Sequence, residues 1–79
     1  MDFRIEDHGS LFILVPESDT AQEWVEENVD KEHQHWANGI AVEPRYIENL
    51  TAGMLAEGLT GTLDGNLISL RDGEVVKAA

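Results

Sequence analysis

The stretch DFRIEDHGSLFILVP, residues 2–16, decides the fold class. In its first part, Phe3 and Ile5 alternate with charged residues, which is the period of a half-buried strand. Its last part, residues 11–15, is a run of five apolar residues ended by a proline. Such a run is too short for a helix and is typical of a buried strand. The turn-forming residues 7–10 between the two parts predict a hairpin.

Helical spacing marks the segment after this hairpin. Residues 17–20 favour a helix start, and Thr20 and Glu23 have the spacing of a capping box. The apolar side chains that recur every three or four positions are Ala21, Trp24, Val25 and Val29. The acidic residues fall on the opposite side, as in an amphipathic helix. We expect this first helix to end between residues 28 and 31.

A second helix is predicted from Pro44 onward, because proline suits the first helical position, where its missing N–H has no helical partner. Gly58 stands where a C-terminal cap glycine belongs. Gly53, inside the helix, costs about 1 kcal/mol relative to alanine, and its missing side chain would let a strand approach closely. The apolar stripe of this helix is Tyr46, Ile47, Leu50, Met54 and Leu55.

The remaining segments have the patterns of strands and tight turns. The dipeptides suited to two-residue hairpin turns are Asn38-Gly39, Asp64-Gly65 and Asp72-Gly73. Residues 36–42 alternate as a third strand would, unless the first of these turns divides them into a hairpin. Strands near residues 59–63 and 66–70 flank the second turn, and one more short strand follows the third.

The resulting order, β-β-α-β-α-β-β with or without one more short strand at the end, predicts an α+β fold. We expect one small antiparallel sheet with two helices packed on one face. The chain has 79 residues, of which 42% are apolar. That is enough for one modest core, whereas two domains would each be too small to fold without disulfides or a structural metal. Residues 1–79 are therefore predicted to form a single domain.

Composition excludes several classes of function. The net charge is −11 and the isoelectric point is near 4.3, so phosphate groups of nucleic acids and of anionic membranes would repel the chain. No apolar run approaches the ~20 residues of a spanning helix, and no secretory signal pattern precedes the domain. The absence of cysteine excludes disulfides, thiol catalysis and cysteine-ligated zinc. We expect a cytoplasmic protein.

Sequence motifs of catalysis are missing. The chain has no glycine-rich phosphate loop, no nucleophile elbow and no H-E-x-x-H pair. A domain of this size also has little room for a deep substrate pocket. We therefore predict that the chain is not an enzyme and uses no cofactor.

The least ordinary feature is the distribution of charge. Residues 1–30 contain nine acidic residues and one basic residue, whereas residues 31–79 contain seven and four. In the first helix, Glu23 and Glu27 are four positions apart, as are Glu26 and Asp30. Like charges at that spacing cost about 0.2–0.5 kcal/mol per pair. A helix selected only for stability would include lysines on this face.

This acidic face suggests a docking surface for a basic partner. Carboxylates one helical turn apart are separated by about 5.4 Å, a spacing comparable to that of phosphates along a nucleic-acid strand, so a site that binds phosphates through Arg and Lys could bind the helix instead. The candidate partner-binding residues are Glu23, Glu26, Glu27 and Asp30, with Asp19, Glu17 and Glu32 as neighbours. The alternative is a solvated acidic face that only keeps the protein in solution.

Two histidines raise a metal-binding hypothesis. His33 and His35 would point to the same side of an extended segment, and Glu27, Asp30 and Glu32 lie nearby in sequence. Histidine and carboxylate groups are common ligands of divalent metals. The spacing matches no metal-site signature, however, so two surface histidines without a metal remain the simpler interpretation.

Three segments resemble short proteins encoded on bacterial plasmids, phages and integrative elements. They are EWVEEN at residues 23–28, AVEPRYI at residues 41–47 and GLT at residues 58–60. The resemblance covers about residues 3–60 and implies no reaction. By its small size and acidity, the chain also resembles anti-CRISPR proteins as a class, several of which block a Cas complex by occupying its DNA-binding surface.

Two hypotheses for the function follow. In the first, the chain is an inhibitor that occupies the basic nucleic-acid-binding surface of a host defence complex, such as a Cas complex. In the second, it is an accessory protein of a mobile element, either a monomer or a homodimer formed through a sheet edge, and its acidic face serves only solubility. Ionic strength separates them, because a contact driven by charge weakens in salt and a sheet-edge dimer does not.

Overall fold

Two helices and a seven-stranded sheet make up the fold in the computed structural model, which describes residues 1–29, 35–36 and 39–77. In chain order the elements are β1 (Phe3–Asp7), β2 (Phe12–Pro16), α1 (Asp19–Asn28), β3 (His35–Trp36), β4 (Gly39–Val42), α2 (Pro44–Ala56), β5 (Gly61–Leu63), β6 (Asn66–Arg71) and β7 (Glu74–Lys77). The predicted α+β class is confirmed, and the additional short strand predicted at the end of the chain is β7.

The strands lie in the order β3-β4-β2-β1-β5-β6-β7. Every neighbouring pair is antiparallel except β1 and β5, which run parallel. The chain leaves β1 through a hairpin and returns to its other side only after α2, so β1 becomes a central strand. Ile5 in β1 lies opposite both Leu14 in β2 and Leu63 in β5.

The two predicted C-terminal turns are confirmed. Asp64 and Gly65 have φ angles of 49° and 82°, and Asp72 and Gly73 have angles of 52° and 81°. Two successive residues with positive φ form a type I′ turn, whose twist matches that of the flanking strands. Aspartate tolerates this left-handed conformation better than most residues with a side chain.

The prediction of one continuous third strand is wrong, because this segment forms a hairpin. The turn predicted at Asn38-Gly39 is wrong as well, since Gly39 is the first residue of β4. β3 and β4 pair antiparallel, with Trp36 opposite Gly39; Ala37 and Asn38 between them lie outside the described residues. Gly39 is required here for space, because a Cβ atom on it would be 2.7 Å from Cγ2 of Ile13 in β2 and 3.0 Å from the carbonyl oxygen of Leu14.

Both helices pack on the same face of the sheet, as predicted. Ala21 and Val25 of α1 and Ile47 and Met54 of α2 belong to one buried cluster. The sheet and the segments around it complete this cluster with Phe3, Ile5, Leu14, Val29, Ile40, Val42, Leu59 and Ile68. Alternation along β1 and β2 places the sheet residues Phe3, Ile5 and Leu14 on one side.

The start of α1 differs from the predicted capping box. Ser18 is the N-cap, and its Oγ accepts a hydrogen bond of 3.1 Å from the backbone N–H of Ala21. Thr20 and Glu23 therefore lie inside the helix and do not cap it. A serine two positions before the predicted cap competes for the same role, since either hydroxyl can accept from a free N–H of the first turn. The predicted end of α1 is confirmed at Asn28.

The predicted ends of α2 are both confirmed. Pro44 is its first residue. At the other end, Gly58 has a φ of 88°. The N–H of Gly58 donates to the carbonyl of Leu55 at 3.0 Å, and the N–H of Leu59 donates to that of Met54 at 3.1 Å. These two bonds define a Schellman motif, which satisfies carbonyls that the helix leaves free. No helix in the described ranges is long and apolar enough to cross a bilayer.

Candidate functional site

Four acidic side chains form a ridge along α1. We call Asp19, Glu23, Glu26 and Glu27 the acidic ridge; all four are exposed. At 3.6 residues per turn they fall within an arc of about 100°. Ala21 and Val25, which are buried in the core, lie on the other side of the helix. The amphipathic pattern of the sequence thus fixes which way the carboxylates point, which is into solvent.

The ridge carries little local compensation for its charge. The ion pairs found among the described residues involve none of its four carboxylates. Asp19 lies in the first turn of α1, where the helix dipole favours a negative charge. Glu26 and Glu27 lie near the other end, where the dipole disfavours it, and the last turn contains no basic residue. This distribution costs helix stability and leaves a strong negative field.

Glu17 belongs to a different cluster. Its Oε2 accepts a hydrogen bond of 2.9 Å from Nη1 of Arg4, whose Nε lies 3.4 Å from Oε2 of Glu6. Hydrogen bonds from His8 and then Arg4 hold the pKa of Glu6 below its ordinary value. Glu17 therefore already has a basic partner within the chain. Asp30, one of the four principal candidates, and Glu32, a predicted neighbour, lie outside the described residues.

A shallow pocket of about 170 Å³ lies between the ridge and the end of α2. Its lining residues are Thr20, Glu23, Trp24, Glu27, Glu57 and Leu59. Two carboxylates of the ridge, Glu23 and Glu27, are thus brought together with a third, Glu57, from the C-cap of α2. Trp24 is half-buried and Leu59 is buried, so these two side chains supply an apolar floor.

The contact between Trp24 and Gly53 sets the position of this pocket. A Cβ atom on Gly53 would be 2.8 Å from Cζ2 of Trp24, so the indole rests directly on the backbone of α2. The close approach that we expected at Gly53 is therefore made by a side chain of α1 and not by a strand. Because Trp24 lies between Glu23 and Val25 in sequence, the same contact orients the ridge relative to Glu57.

Hydrogen bonds of Asp2 fix the start of α1. The Asp2 carbonyl oxygen accepts from the backbone N–H groups of Glu17 at 2.7 Å and Ser18 at 3.0 Å. Its carboxylate accepts from the backbone N–H of Thr60 at 2.8 Å and from the Thr60 hydroxyl at 3.1 Å. The backbone bond from Thr60, followed by a side-chain bond from Ser18, lowers the pKa of Asp2. One residue thus connects the N-terminus of α1 with the entry to β5.

A pocket with carboxylates on its rim and an indole in its floor suits a basic side chain. A guanidinium group can stack on an aromatic ring while its N–H groups donate to carboxylates. A metal is supported less well, because within the described residues no three His, Cys, Asp or Glu side chains are placed to hold an ion. His33 lies outside the described residues, and only the backbone of His35 is described.

Sequence reasoning missed two parts of this pocket. Glu57 was not a candidate, because only the fold brings the end of α2 beside α1. The sequence places Trp24 in the apolar stripe of α1 and gives no sign that its side chain stays partly exposed. The available signal was Gly53, because a glycine inside a helix lowers its stability and is consistent with a close contact at that position.

Comparisons with known proteins give the chain no family. No family model matches the sequence, and neither a curated protein nor a solved structure shows significant similarity to it. The resemblance to short proteins of mobile elements therefore stays a prediction, and the functional argument depends on the geometry of the acidic ridge and its pocket.

Proposed function

We propose that this chain is a binding module whose acidic ridge docks on the basic nucleic-acid-binding surface of a partner protein and excludes nucleic acid from it. The observation that carries the proposal is the convergence of Glu23, Glu27 and Glu57 around the floor made by Trp24 and Leu59. Carboxylates alone would make a diffuse acidic surface, whereas an apolar floor between them gives an individual basic side chain a place to bind.

The energetics of α1 support a role outside folding. The pair Glu23 and Glu27 is repulsive at four-residue spacing, and Glu27 lies at the unfavourable end of the helix dipole. A basic partner turns both the repulsion and the unfavourable dipole interaction into favourable ones, because its positive charges neutralise the carboxylates that repel one another. The net charge of −11 also accelerates encounter with a positively charged surface.

An arginine of the partner is the best fit to the pocket. Its planar guanidinium can lie against Trp24 and donate to Glu23 or Glu27, whereas a lysine has no plane to stack. Residues of this kind are abundant in grooves that bind the nucleic-acid backbone. A defence complex in the bacterial cytoplasm, such as a Cas complex, is the target that the class resemblance suggests.

The test is capture of a nucleic-acid-binding partner by two charge-matched variants. The ridge variant combines Glu23→Lys with Glu27→Lys. The control combines Glu48→Lys on α2 with Glu74→Lys on β7. Both change the net charge from −11 to −7. The immobilised proteins are exposed to purified Cas complexes and to bacterial lysate, with and without competing DNA, and bound proteins are eluted with salt.

We expect the unmodified chain and the control variant to retain a basic complex that both salt and DNA displace. The ridge variant should not retain it. Equal loss in both variants would mean that only net charge matters. Equal retention in both would remove the ridge from the interface. Circular dichroism of each variant verifies that the fold is intact.

A second candidate is an accessory protein that forms a homodimer, and the specific observation that favours it is the edge strand β7. Within the described part of the chain β7 pairs only with β6, so half of its backbone groups are free to pair with another strand. Such a dimer would survive high salt in analytical ultracentrifugation. Val75→Pro should abolish it, because proline on an edge strand removes a donor and blocks pairing.

A further inference from the structure

A second cavity lies beneath α2, away from the acidic ridge. It has a volume of about 210 Å³ between the helix and five strands of the sheet, and it is open to solvent at its mouth. Its lining residues are Ile5, Phe12, Ile47, Glu48, Thr51, Leu63, Ile68 and Val75. This is the helix-covered face of the sheet, and the cavity lies where α2 spans from the central strand β1 towards the edge strand β7.

The wall of this cavity offers water almost no hydrogen bonds. Ile5, Ile47 and Ile68 are buried hydrocarbon. Thr51 is the only buried polar residue in the described core, and its hydroxyl already donates to the carbonyl of Ile47 at 2.6 Å. Water in such a space lacks the polar partners that would hold it. An apolar group that displaces poorly held water gains affinity.

A single charged residue lines the cavity, and it is exposed. Glu48 contributes a carboxylate at the mouth. The basic residue nearest to it in α2, Arg45, is directed elsewhere, since its Nε lies 3.0 Å from Oε2 of Glu43 and its guanidinium carbon lies 4.8 Å from the centre of the Tyr46 ring. Arg45 therefore does not neutralise Glu48. Lys77 of β7, the register partner of Ile68, adds a positive charge to the same face, but among the described residues it forms no ion pair with Glu48. The negative potential at the mouth comes from Glu48 and from the net charge of −11.

We propose that this cavity binds a small organic cation, with its apolar body among Ile5, Ile47 and Ile68 and its ammonium group at Glu48. The apolar wall selects for a hydrocarbon or aromatic body. The carboxylate at the mouth favours a positive charge at one end of that body and disfavours a carboxylate there. The proposal is independent of the acidic ridge, which lies on the other helix.

Benzylamine, benzyl alcohol and benzoate are suitable probes, because they share one ring and differ in charge. Each is titrated into the isotopically labelled full chain at neutral pH and low salt, and the amide signals of Ile5, Thr51 and Val75 are followed by NMR. We expect saturable shifts with benzylamine and an affinity about two- to five-fold weaker for benzyl alcohol, as for an exposed ion pair. Benzoate should bind about two- to five-fold more weakly again, because the same exposed carboxylate repels it.

Two variants separate the charge of Glu48 from the field of the whole protein. Glu48→Gln should make benzylamine and benzyl alcohol bind equally, while binding of the alcohol stays unchanged. Glu74→Gln, an identical change on β7 at a residue that lines neither this cavity nor the pocket beside the acidic ridge, should preserve the preference for the amine. Val75→Phe, which fills the cavity from the edge strand, should weaken all binding.

Three results would overturn the proposal. They are no shift of the cavity amides with any probe, benzoate binding as well as benzylamine, and a preference for the amine that survives Glu48→Gln. None of these results depends on the partner of the acidic ridge, so this proposal and the proposed function fail separately. The amide spectrum of Glu48→Gln verifies that this variant is folded. The comparison of benzylamine with benzyl alcohol in Glu48→Gln then stays valid even if Val75→Phe does not fold.

Discussion

Trp24 and Gly53 are in such close contact that the two helices can adopt this packing only because residue 53 has no side chain. A Cβ atom at Gly53 would be 2.8 Å from Cζ2 and 3.3 Å from Cη2 of the indole. The contact joins α1 to α2 on the same face of the sheet. It also brings Glu57 beside Glu23 and Glu27, so the candidate site depends on it.

Gly53→Ala should destabilise the protein, although the same change at an open helix position would stabilise it. Alanine is favoured over glycine in a helix by about 1 kcal/mol. Here the added methyl displaces a rigid ring, and overpacking costs about 1–3 kcal/mol. We expect a net loss of about 1 kcal/mol in the free energy of unfolding, measured by denaturant titration.

The companion variant Trp24→Leu tests whether the indole is the cause. With the ring removed, Gly53→Ala should gain stability because only the helix propensity remains. In a double-mutant cycle of the two positions, the effect of Gly53→Ala on the free energy of unfolding should therefore change sign between the two backgrounds. If Gly53→Ala is destabilising by the same amount in both backgrounds, the contact is not responsible.

Local sequence signals predicted most of the elements but not their arrangement. Pro44, Gly58 and the two Asp-Gly turns act on their immediate neighbours, and each was found where its chemistry places it. The parallel pairing of β1 with β5 joins residues more than fifty positions apart. Such pairing depends on how the whole chain packs, which no local period encodes.

The candidate site divides in the same way. The exposure of Glu23, Glu26 and Glu27 followed from the helical period alone. The pairing of Glu17 with Arg4 across 13 positions did not, because it depends on the register of the β1–β2 hairpin, in which Arg4 lies opposite Val15, two residues before Glu17. Glu57 was missed for a related reason: it lies beside Trp24 only after both helices have packed on the sheet.

Glu27→Lys should stabilise the fold while weakening partner binding. It turns a repulsive pair with Glu23 into an attractive one, and it places a positive charge in the last turn of α1, where the dipole favours it. We expect a gain of about 0.5–1 kcal/mol, which is a rise of roughly 4 °C in the melting temperature. Differential scanning calorimetry at low salt is the measurement.

Glu27→Gln serves as the control for that gain. It removes the repulsion without adding a cation, so its effect should be about half as large. High salt should reduce both gains by screening. Stability that falls in Glu27→Lys would show that the carboxylate has a structural role, and the argument that the ridge costs stability would be wrong.

Gly61→Ala should be among the most destabilising single substitutions in the sheet. The added methyl would overlap the ring of Phe3, which is fully buried between β1 and the helices. Since a buried ring in the centre of the core has no room to move, we expect a loss of about 2–3 kcal/mol. Thr62→Ala, at the next position on the opposite face of β5, should cost less than about 1 kcal/mol. Equal effects in chemical denaturation would contradict the role of Phe3.

The bond between Asp2 and Thr60 should make stability depend on pH in the acid range. The pKa of Asp2 is lowered in the folded protein, so its carboxylate stabilises the fold fully above the unfolded pKa and loses that contribution as pH falls through the folded value. Asp2→Asn should therefore be less stable than the unmodified chain at neutral pH, and the difference should shrink below about pH 4. Denaturant midpoints from about pH 7 to pH 2.5 measure this difference in stability.

Thr60→Val keeps the backbone N–H that contributes most to the lowered pKa of Asp2, so most of the pH dependence should persist in this variant. If the difference in stability between Asp2→Asn and the unmodified chain is constant with pH, the carboxylate charge does not hold Thr60.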